Sequence, residues 1–345
     1  METPRDLRLL RELEKIDLPT PKFKLSYAKI ALLITIAAVV FVYSKLIQGL
    51  LVAIENKKLL RPDFEGPEPS DFLWLFILCP LMYFGHFLTH VIFSGFYYKY
   101  LPKSAKEPKL KKRIRVYISS IFRFLFFTLV SVYGLIILYE NEDFSHTLHD
   151  DKVSDWIFNY WKDWPFSLIL IETKFYTLLN LSYHMERALD TLIHNDVDDF
   201  MELIIHHIMA IMLITITFLA GYSNVIIPVM LFITHWDIWI GFTQAMVNRT
   251  IVNILYVWLV GVWIYTRIYT IIFEILIKAG LRSKTFIDGS QAPHIFLCCQ
   301  VGILFVVNLH WLIQLVKILK KIIFRSYWPR TKLLERWSIL NWFQC

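Results

Sequence analysis

Long apolar runs constrain the fold of this chain more than any other feature. The 345 residues are 56% hydrophobic and only 19% charged, which is too apolar for an ordinary soluble protein of this size. The apolar residues concentrate in runs of about 20 residues, the length that crosses the hydrocarbon core of a bilayer as a helix. The sequence therefore predicts an all-α fold, a polytopic membrane helical bundle.

We expect about eight transmembrane helices joined by short connectors. The predicted spans are 27–53, 71–97, 116–139, 166–184, 201–221, 224–246, 251–277 and 293–320. The predicted domains are an N-terminal segment (1–26), the first span with its connector (27–70), the main membrane domain (71–323) and a C-terminal tail (324–345).

Basic residues set the predicted orientation. They cluster before the first span, in the connector 99–115 and after the last span, whereas the stretch 140–163 is acidic. With an even number of spans, the basic segments lie on one side, and the positive-inside rule then places both termini in the cytosol. The net charge of +7 indicates contact with a lipid bilayer rather than nucleic acid, because no nucleic-acid-binding motif accompanies it.

The adjacent histidines His206 and His207 carry the strongest functional signal. The fifth span runs inward from the cytosol, so both lie one or two turns below the cytosolic face. Ionisable side chains inside a membrane are costly and often functional. Adjacent helical residues point about 100° apart, so one ring can face a cavity while the other braces it.

Asp237 lies at a similar depth, because the sixth span runs back towards the cytosol. A carboxylate opposite an imidazole fixes its tautomer and raises its basicity. Such a pair could deprotonate an amine or hydroxyl, or the imidazole could attack a thioester and carry the acyl group. Interhelical hydrogen bonding is the alternative role for these side chains, and the residues alone leave both open.

Two other groups of polar residues lie within predicted spans. His86 and His90 form an HxxxH pair that, with His206–His207, is similar to the histidine boxes of di-iron lipid desaturases, but no HxxHH sequence occurs. We therefore expect no metal. Arg123 lies near the cytosolic side and could meet an anionic headgroup or phosphate.

The order of residues around the histidine pair resembles a known family. Asp199-Phe200 is followed by His206-His207, an apolar span, a turn near Tyr222 and a span that bears Asp237. This pattern is similar to the longevity-assurance motif of the ceramide synthase (sphingosine N-acyltransferase) family of TLC-domain proteins. Collinear matches extend the resemblance over roughly residues 71–323: Phe122-Arg123-Phe124, Trp161 to Phe166, Leu181-Ser182-Tyr183, Thr266-Arg267 and the Asn308/Trp311 pair.

The chain departs from the family pattern and resembles a divergent member. The family usually has His-Asp-x-x-Asp in the sixth span, whereas an ungapped alignment places Thr234 on the first carboxylate and Asp237 on the second. A short gap would instead align His235 with the family histidine, and in either alignment one carboxylate is absent. The connector 99–115 has no room for the homeobox-like insert of many animal members.

The resemblance implies an enzyme that joins a fatty acyl group from acyl-CoA to a sphingoid base such as sphinganine, giving (dihydro)ceramide. His206 or His207 would be the general base or transient acyl acceptor, and Asp237 would orient it. Candidate substrate-binding residues are Arg123, Ser182, Tyr183, His235, Arg267, Asn308 and Trp311. No cofactor is expected, since acyl-CoA is a co-substrate.

The resemblance also implies residence in the endoplasmic reticulum membrane, and it leaves open a homodimer or a small accessory subunit. The alternative function is that of a non-catalytic TLC-fold protein, which binds or senses lipid or associates with a translocon.

Overall fold

A computed structural model of the protein describes residues 27–63, 65–100, 107–140, 169–193, 200–246, 249–281 and 292–324. All regular secondary structure in these ranges is helical. The long helices are α1 (Tyr27–Leu60), α2 (Leu75–Tyr100), α3 (Glu107–Glu140), α4 (Ile171–Ile193), α5 (Phe200–Leu219), α6 (Ser223–Ala245), α7 (Arg249–Trp263) and α8 (Ala292–Phe324). A short 3-10 helix, Pro69–Trp74, precedes α2, and a π-helical segment, Ile264–Leu281, continues α7.

The predicted fold class is confirmed, whereas the count of eight spans is not. Six stretches in the described ranges are long and apolar enough to cross a membrane: Pro69–Lys99, Ile114–Glu140, Phe200–Leu219, Ile226–Ala245, Ile251–Ile277 and His294–Lys320. The side chains of residues 27–40 in α1 lie outside the described ones. Helix α4 is not among the six, because its charged side chains lower its mean hydropathy.

Helix α4 also differs from its predicted bounds of 166–184, since it runs from Ile171 to Ile193. The apolar run on which the prediction rested ends near Tyr183, but the helix continues through Glu186 and Arg187, both of which are buried. The length of an apolar run therefore underestimates the length of a helix whose charged end is buried in the protein.

The described residues form two compact units, divided between Lys45 and Leu46. The site described below lies entirely in the second unit.

A tight turn places the two predicted catalytic segments at matching depth. Gly221 joins α5 to α6 with a φ of 78°, in the left-handed region that glycine adopts without strain. His206 lies about 20 Å of helix before this turn, and Asp237 lies about 20 Å of helix after it, as the rise per residue of an α-helix gives. The depth match predicted for the two residues therefore follows from the hairpin.

Helices α3 and α6 approach each other closely at Gly241. A Cβ atom at this position would lie 2.9 Å from the backbone nitrogen of Phe124 and 2.9 Å from the backbone oxygen of Ser120. The Ser120 hydroxyl also donates to Gln244 Oε1 at 2.9 Å across the same interface. This approach brings Arg123 of α3 into electrostatic contact with Asp237 of α6, one turn before Gly241.

Candidate active site

Three histidines from two neighbouring helices lie together in the bundle. His206 and His207 are on α5, and His184 is on α4. The Nδ1 atoms of His184 and His207 lie 3.3 Å apart, and the ring centroids of His206 and His207 lie 5.3 Å apart. A hydrogen bond between two imidazole nitrogens requires that one carry the proton and the other accept it. The tautomers of His184 and His207 are therefore linked.

The histidine pair of α5 retains unused hydrogen-bonding capacity. His206 Nδ1 and His207 Nε2 are buried and have no hydrogen-bond partner among the described residues. His207 is 1% exposed, whereas His206 keeps partial exposure, with Trp311 5.3 Å away between ring centroids. A buried polar atom without a partner is costly, and a substrate can supply the missing bond. His207 is thus held by His184, and His206 is the more exposed of the two rings.

Asp237 pairs with an arginine. Arg267, on the π-helical segment, donates from Nη2 to Asp237 Oδ2 at 2.9 Å and to the carbonyl oxygen of Ile233 at 3.1 Å. In the described ranges, no hydrogen bond joins Asp237 to a histidine. The expected role of Asp237 in orienting an imidazole therefore stays a prediction, and its observed contact is with Arg267.

The histidines lie in an environment of net positive charge. Arg123 and Arg267 both act electrostatically on His206, and both also act on Asp237. Two guanidinium groups and one carboxylate, all buried, leave a net charge of about +1 beside neutral imidazoles. Fixed positive charge in a water-poor site stabilises negative charge that develops on a reacting oxygen.

The spacing of the ring nitrogens of these three histidines would allow them to hold a metal ion. One ring nitrogen from each of His184, His206 and His207 lies within 4.8 Å of the others. The positive charges of Arg123 and Arg267 oppose a cation there. The expectation of no metal remains a prediction.

Other residues predicted to bind substrate also lie at the site. Tyr183 stacks on Phe126 with ring centroids 4.4 Å apart, and it is in electrostatic contact with Arg123 and Asp237. Trp311 contacts His206 as described. The structure therefore brings Arg123, Tyr183, Arg267 and Trp311 to the histidines.

Three further predicted residues have partners elsewhere. The Ser182 hydroxyl donates to the carbonyl oxygen of Leu179 at 2.7 Å. His235 is exposed and accepts from Trp239 Nε1 at 3.1 Å. Asn308 donates from Nδ2 to the carbonyl oxygen of Leu304 at 2.8 Å within its own helix, while its Oδ1 is buried and has no hydrogen-bond partner among the described residues. The predicted match at 161–166 lies outside the described residues.

The comparison with known families decides the assignment of the fold. Residues 117–317, more than half of the chain, match the family described as the TLC domain. The chain belongs to the TLC-domain family. The matched range contains His184, the α5 histidine pair and Asp237, whereas His86 lies before it. The predicted family resemblance is confirmed.

Curated relatives of this TLC-domain protein are named as a sphingosine N-acyltransferase and as ceramide synthases. The chain is 25% identical over 211 residues to sphingosine N-acyltransferase lac1 of Schizosaccharomyces pombe, covering 56% of the chain and 52% of the relative. It is 24% identical over 229 residues to ceramide synthase 3 of Homo sapiens, covering 64% of the chain and 56% of the relative. It is also 24% identical over 219 residues to ceramide synthase 3 of Mus musculus, covering 61% of the chain and 53% of the relative. The chain spans about half the length of these relatives.

Sequence reasoning missed His184 within the TLC domain. A signal was present, because His184 is an ionisable side chain at the end of the predicted span 166–184, nine residues before the end of α4. The connector 194–199 is short, so α4 and α5 are neighbours and His184 lies near the depth of His206. The same helix carries Glu186 and Arg187, which sequence reasoning also passed over.

Proposed function

We propose that this TLC-domain protein is an acyl-CoA-dependent N-acyltransferase that joins a fatty acyl group to a sphingoid base to give (dihydro)ceramide. The observation that carries the proposal is the buried group of His184, His206 and His207 under net positive charge, with two imidazole nitrogens lacking partners. The names of the relatives support the same chemistry.

Two chemical routes are available to His206, the histidine that substrate reaches in this proposal. As a nucleophile, its imidazole attacks the thioester carbonyl carbon; a C–N bond forms, the C–S bond breaks, and the CoA thiolate leaves. The substrate amine then displaces the imidazole and forms the amide. As a general base, the imidazole takes a proton from the amine, which attacks the thioester directly. In both routes an ammonium and an acyl-CoA give an amide, free CoA thiol and one proton.

The neighbouring residues have separate roles in this proposal. His207, held by His184, braces the reactive ring. Arg123 and Arg267 stabilise the oxyanion that forms when the carbonyl carbon is attacked. Asp237 is a positioning residue, since it acts on the site through Arg267. The thioester supplies the driving force, so the scheme requires no metal or other cofactor.

We place the protein in the endoplasmic reticulum membrane with both termini in the cytosol. Helix α5 then begins at the cytosolic face, and His206 lies six residues inward, about 9 Å at the helical rise. That depth suits a thioester whose CoA moiety stays in the cytosol. Basic residues of the segment 99–115, which includes the start of α3, would attract the CoA phosphates.

The test uses membranes from cells that lack ceramide synthase activity of their own. These cells express the wild type, the His206→Ala/His207→Ala variant or His310→Ala, an exposed histidine of α8 that serves as the control. With labelled sphinganine and palmitoyl-CoA, the wild type and the control should form labelled ceramide, and the double variant should not. Equal labelling by the wild type and the double variant would defeat the proposal and favour a non-catalytic, lipid-binding TLC protein.

A further inference from the structure

A second buried polar group lies beside the histidine site. We call it the His86 cluster, and it comprises His86 of α2, Ser119 of α3, and Glu186, Arg187 and Asp190 of α4. His86 Nδ1 lies 2.9 Å from Glu186 Oε1, and His86 Nε2 lies 3.2 Å from Ser119 Oγ. Arg187 donates from Nη2 to Asp190 Oδ2 at 2.8 Å. The cluster therefore joins three helices of the bundle.

One carboxylate oxygen in the His86 cluster lacks a donor. The Glu186 side chain is 1% exposed, and its Oε2 atom has no hydrogen-bond partner among the described residues. The nearest cation, Arg187 Nη1, lies 3.8 Å away, beyond hydrogen-bonding distance. A buried carboxylate oxygen that accepts no hydrogen bond is costly. A ligand that carries N–H donors would satisfy it.

The charge of the cluster indicates which kind of donor fits. Glu186 and Asp190 are acidic and Arg187 is basic, so the cluster holds one more carboxylate than guanidinium groups. Arg187 forms ion pairs with both carboxylates, and a buried carboxylate left in excess is unfavourable inside a membrane bundle. A bound ammonium group would neutralise it. The histidine site has the opposite net charge, about +1, which suits the anionic oxygen of the acyl donor.

The two groups lie in neighbouring parts of the bundle. The Phe122 ring stacks on His86 with centroids 5.0 Å apart, and its centroid lies 6.1 Å from that of Tyr183. Tyr183 is followed directly by His184. Arg187 also acts electrostatically on His207. The rings of Phe122 and Tyr183 thus link the His86 cluster to the histidine site.

We propose that the His86 cluster binds the ammonium headgroup of the acyl acceptor, with Glu186 Oε2 accepting the N–H donor. The acceptor class is a long-chain amino alcohol, whose chain extends into the bilayer. This inference rests on the proposed function and adds the residues that select an amine over a neutral lipid alcohol. The alternative occupant is a metal ion on His86, Glu186 and Asp190, whose ligand atoms lie within 4.8 Å of one another.

The first test needs no variant and measures competition against labelled sphinganine in the wild-type protein. N,N-dimethylsphinganine is cationic and keeps one N–H donor, whereas 1,3-octadecanediol has a similar chain and no amine. A hydrogen bond to a charged group is worth about 1.5–3 kcal/mol, which corresponds to about 10-fold to 100-fold in affinity. The cation should inhibit at least about tenfold more strongly than the diol. Equal inhibition by the two compounds would overturn the inference.

The second test compares Glu186→Gln with Glu172→Gln, a matched substitution at an exposed position on the same helix. Glu186→Gln should raise the KM for sphinganine by about tenfold or more, leave the KM for acyl-CoA unchanged and abolish the preference for the cationic inhibitor. Glu172→Gln should behave as the wild type. If Glu186→Gln does not accumulate, the wild-type competition decides the question.

The outcomes separate this inference from the proposed function. If the wild type makes no ceramide, the proposed function fails. If the wild type makes ceramide and Glu186→Gln has an unchanged KM for sphinganine, only the inference fails. The inference would also be overturned if the purified wild type contained a stoichiometric metal ion that Glu186→Gln lacks. That result would indicate a metal site.

Discussion

Arg267 donates a hydrogen bond from Nη2 to Asp237 Oδ2 at 2.9 Å, and both side chains are buried beside the histidines. The pair ties the π-helical segment to α6 and sets where the positive charge of Arg267 lies. The carboxylate therefore contacts an arginine and not an imidazole among the described residues.

A double-mutant cycle on this pair separates the two roles of Asp237. Asp237→Asn and Arg267→Gln should each lower the kcat/KM for amide formation by about 10-fold to 100-fold, since removing one member of a buried ion pair leaves the other charge uncompensated. The double variant should lose no more activity than the more impaired single variant. If Asp237 instead acts directly on a histidine, the losses will multiply.

His184 is predicted to be a positioning residue for His207. His184→Ala removes the 3.3 Å contact to His207 Nδ1 and should lower kcat by about tenfold with little change in the KM for acyl-CoA. His184→Asn can place a polar atom near the lost Nδ1 and should recover part of the rate. A rise in KM with unchanged kcat, or equal rates for the two variants, would assign His184 to substrate binding or to packing.

Gly241 is predicted to be required for the packing of α3 against α6. A methyl group on Gly241 would lie 2.9 Å from the backbone of α3, and relieving that overlap should cost about 1–3 kcal/mol. We expect Gly241→Ala to lower the apparent Tm in detergent. The control is Gly261→Ala, which meets no atom within 4 Å and should be neutral or stabilising. Equal melting temperatures for both variants would contradict the close approach.

The orientation of the chain is open to direct measurement. A glycosylation acceptor site appended to either terminus should remain unmodified, because the basic segments predict that both termini are cytosolic. The same acceptor site inserted in the acidic stretch 140–163 should be modified. Modification of one terminus only would require an odd number of spans.

Much of the fold follows from the sequence, because apolar length determines which segments cross a membrane. The predicted spans 201–221 and 224–246 lie within two residues of the observed helices α5 and α6. Helix α4 was less predictable. Its charged end is buried by packing against α2, and hydropathy along one chain contains no information about that contact.

The candidate site was predictable in part for a similar reason. Costly polar residues at matched depth predict His206, His207 and Asp237 as site residues from the sequence alone. Depth does not determine which side chains face each other across neighbouring helices, however. The pairing of Asp237 with Arg267 depends on the rotation of two helices, which only the packed structure provides.

The central claim is that the α5 histidines transfer an acyl group to an amine, and its most direct test follows the acyl group itself. Purified protein in lipid nanodiscs is mixed with labelled palmitoyl-CoA and sphinganine, and the label entering N-acylsphinganine is measured over time. We predict repeated turnover by the wild type and by His310→Ala, and a rate at least about 10²-fold lower for His206→Ala. An absence of labelled amide from the wild type, or an equal rate for His206→Ala, would contradict the account.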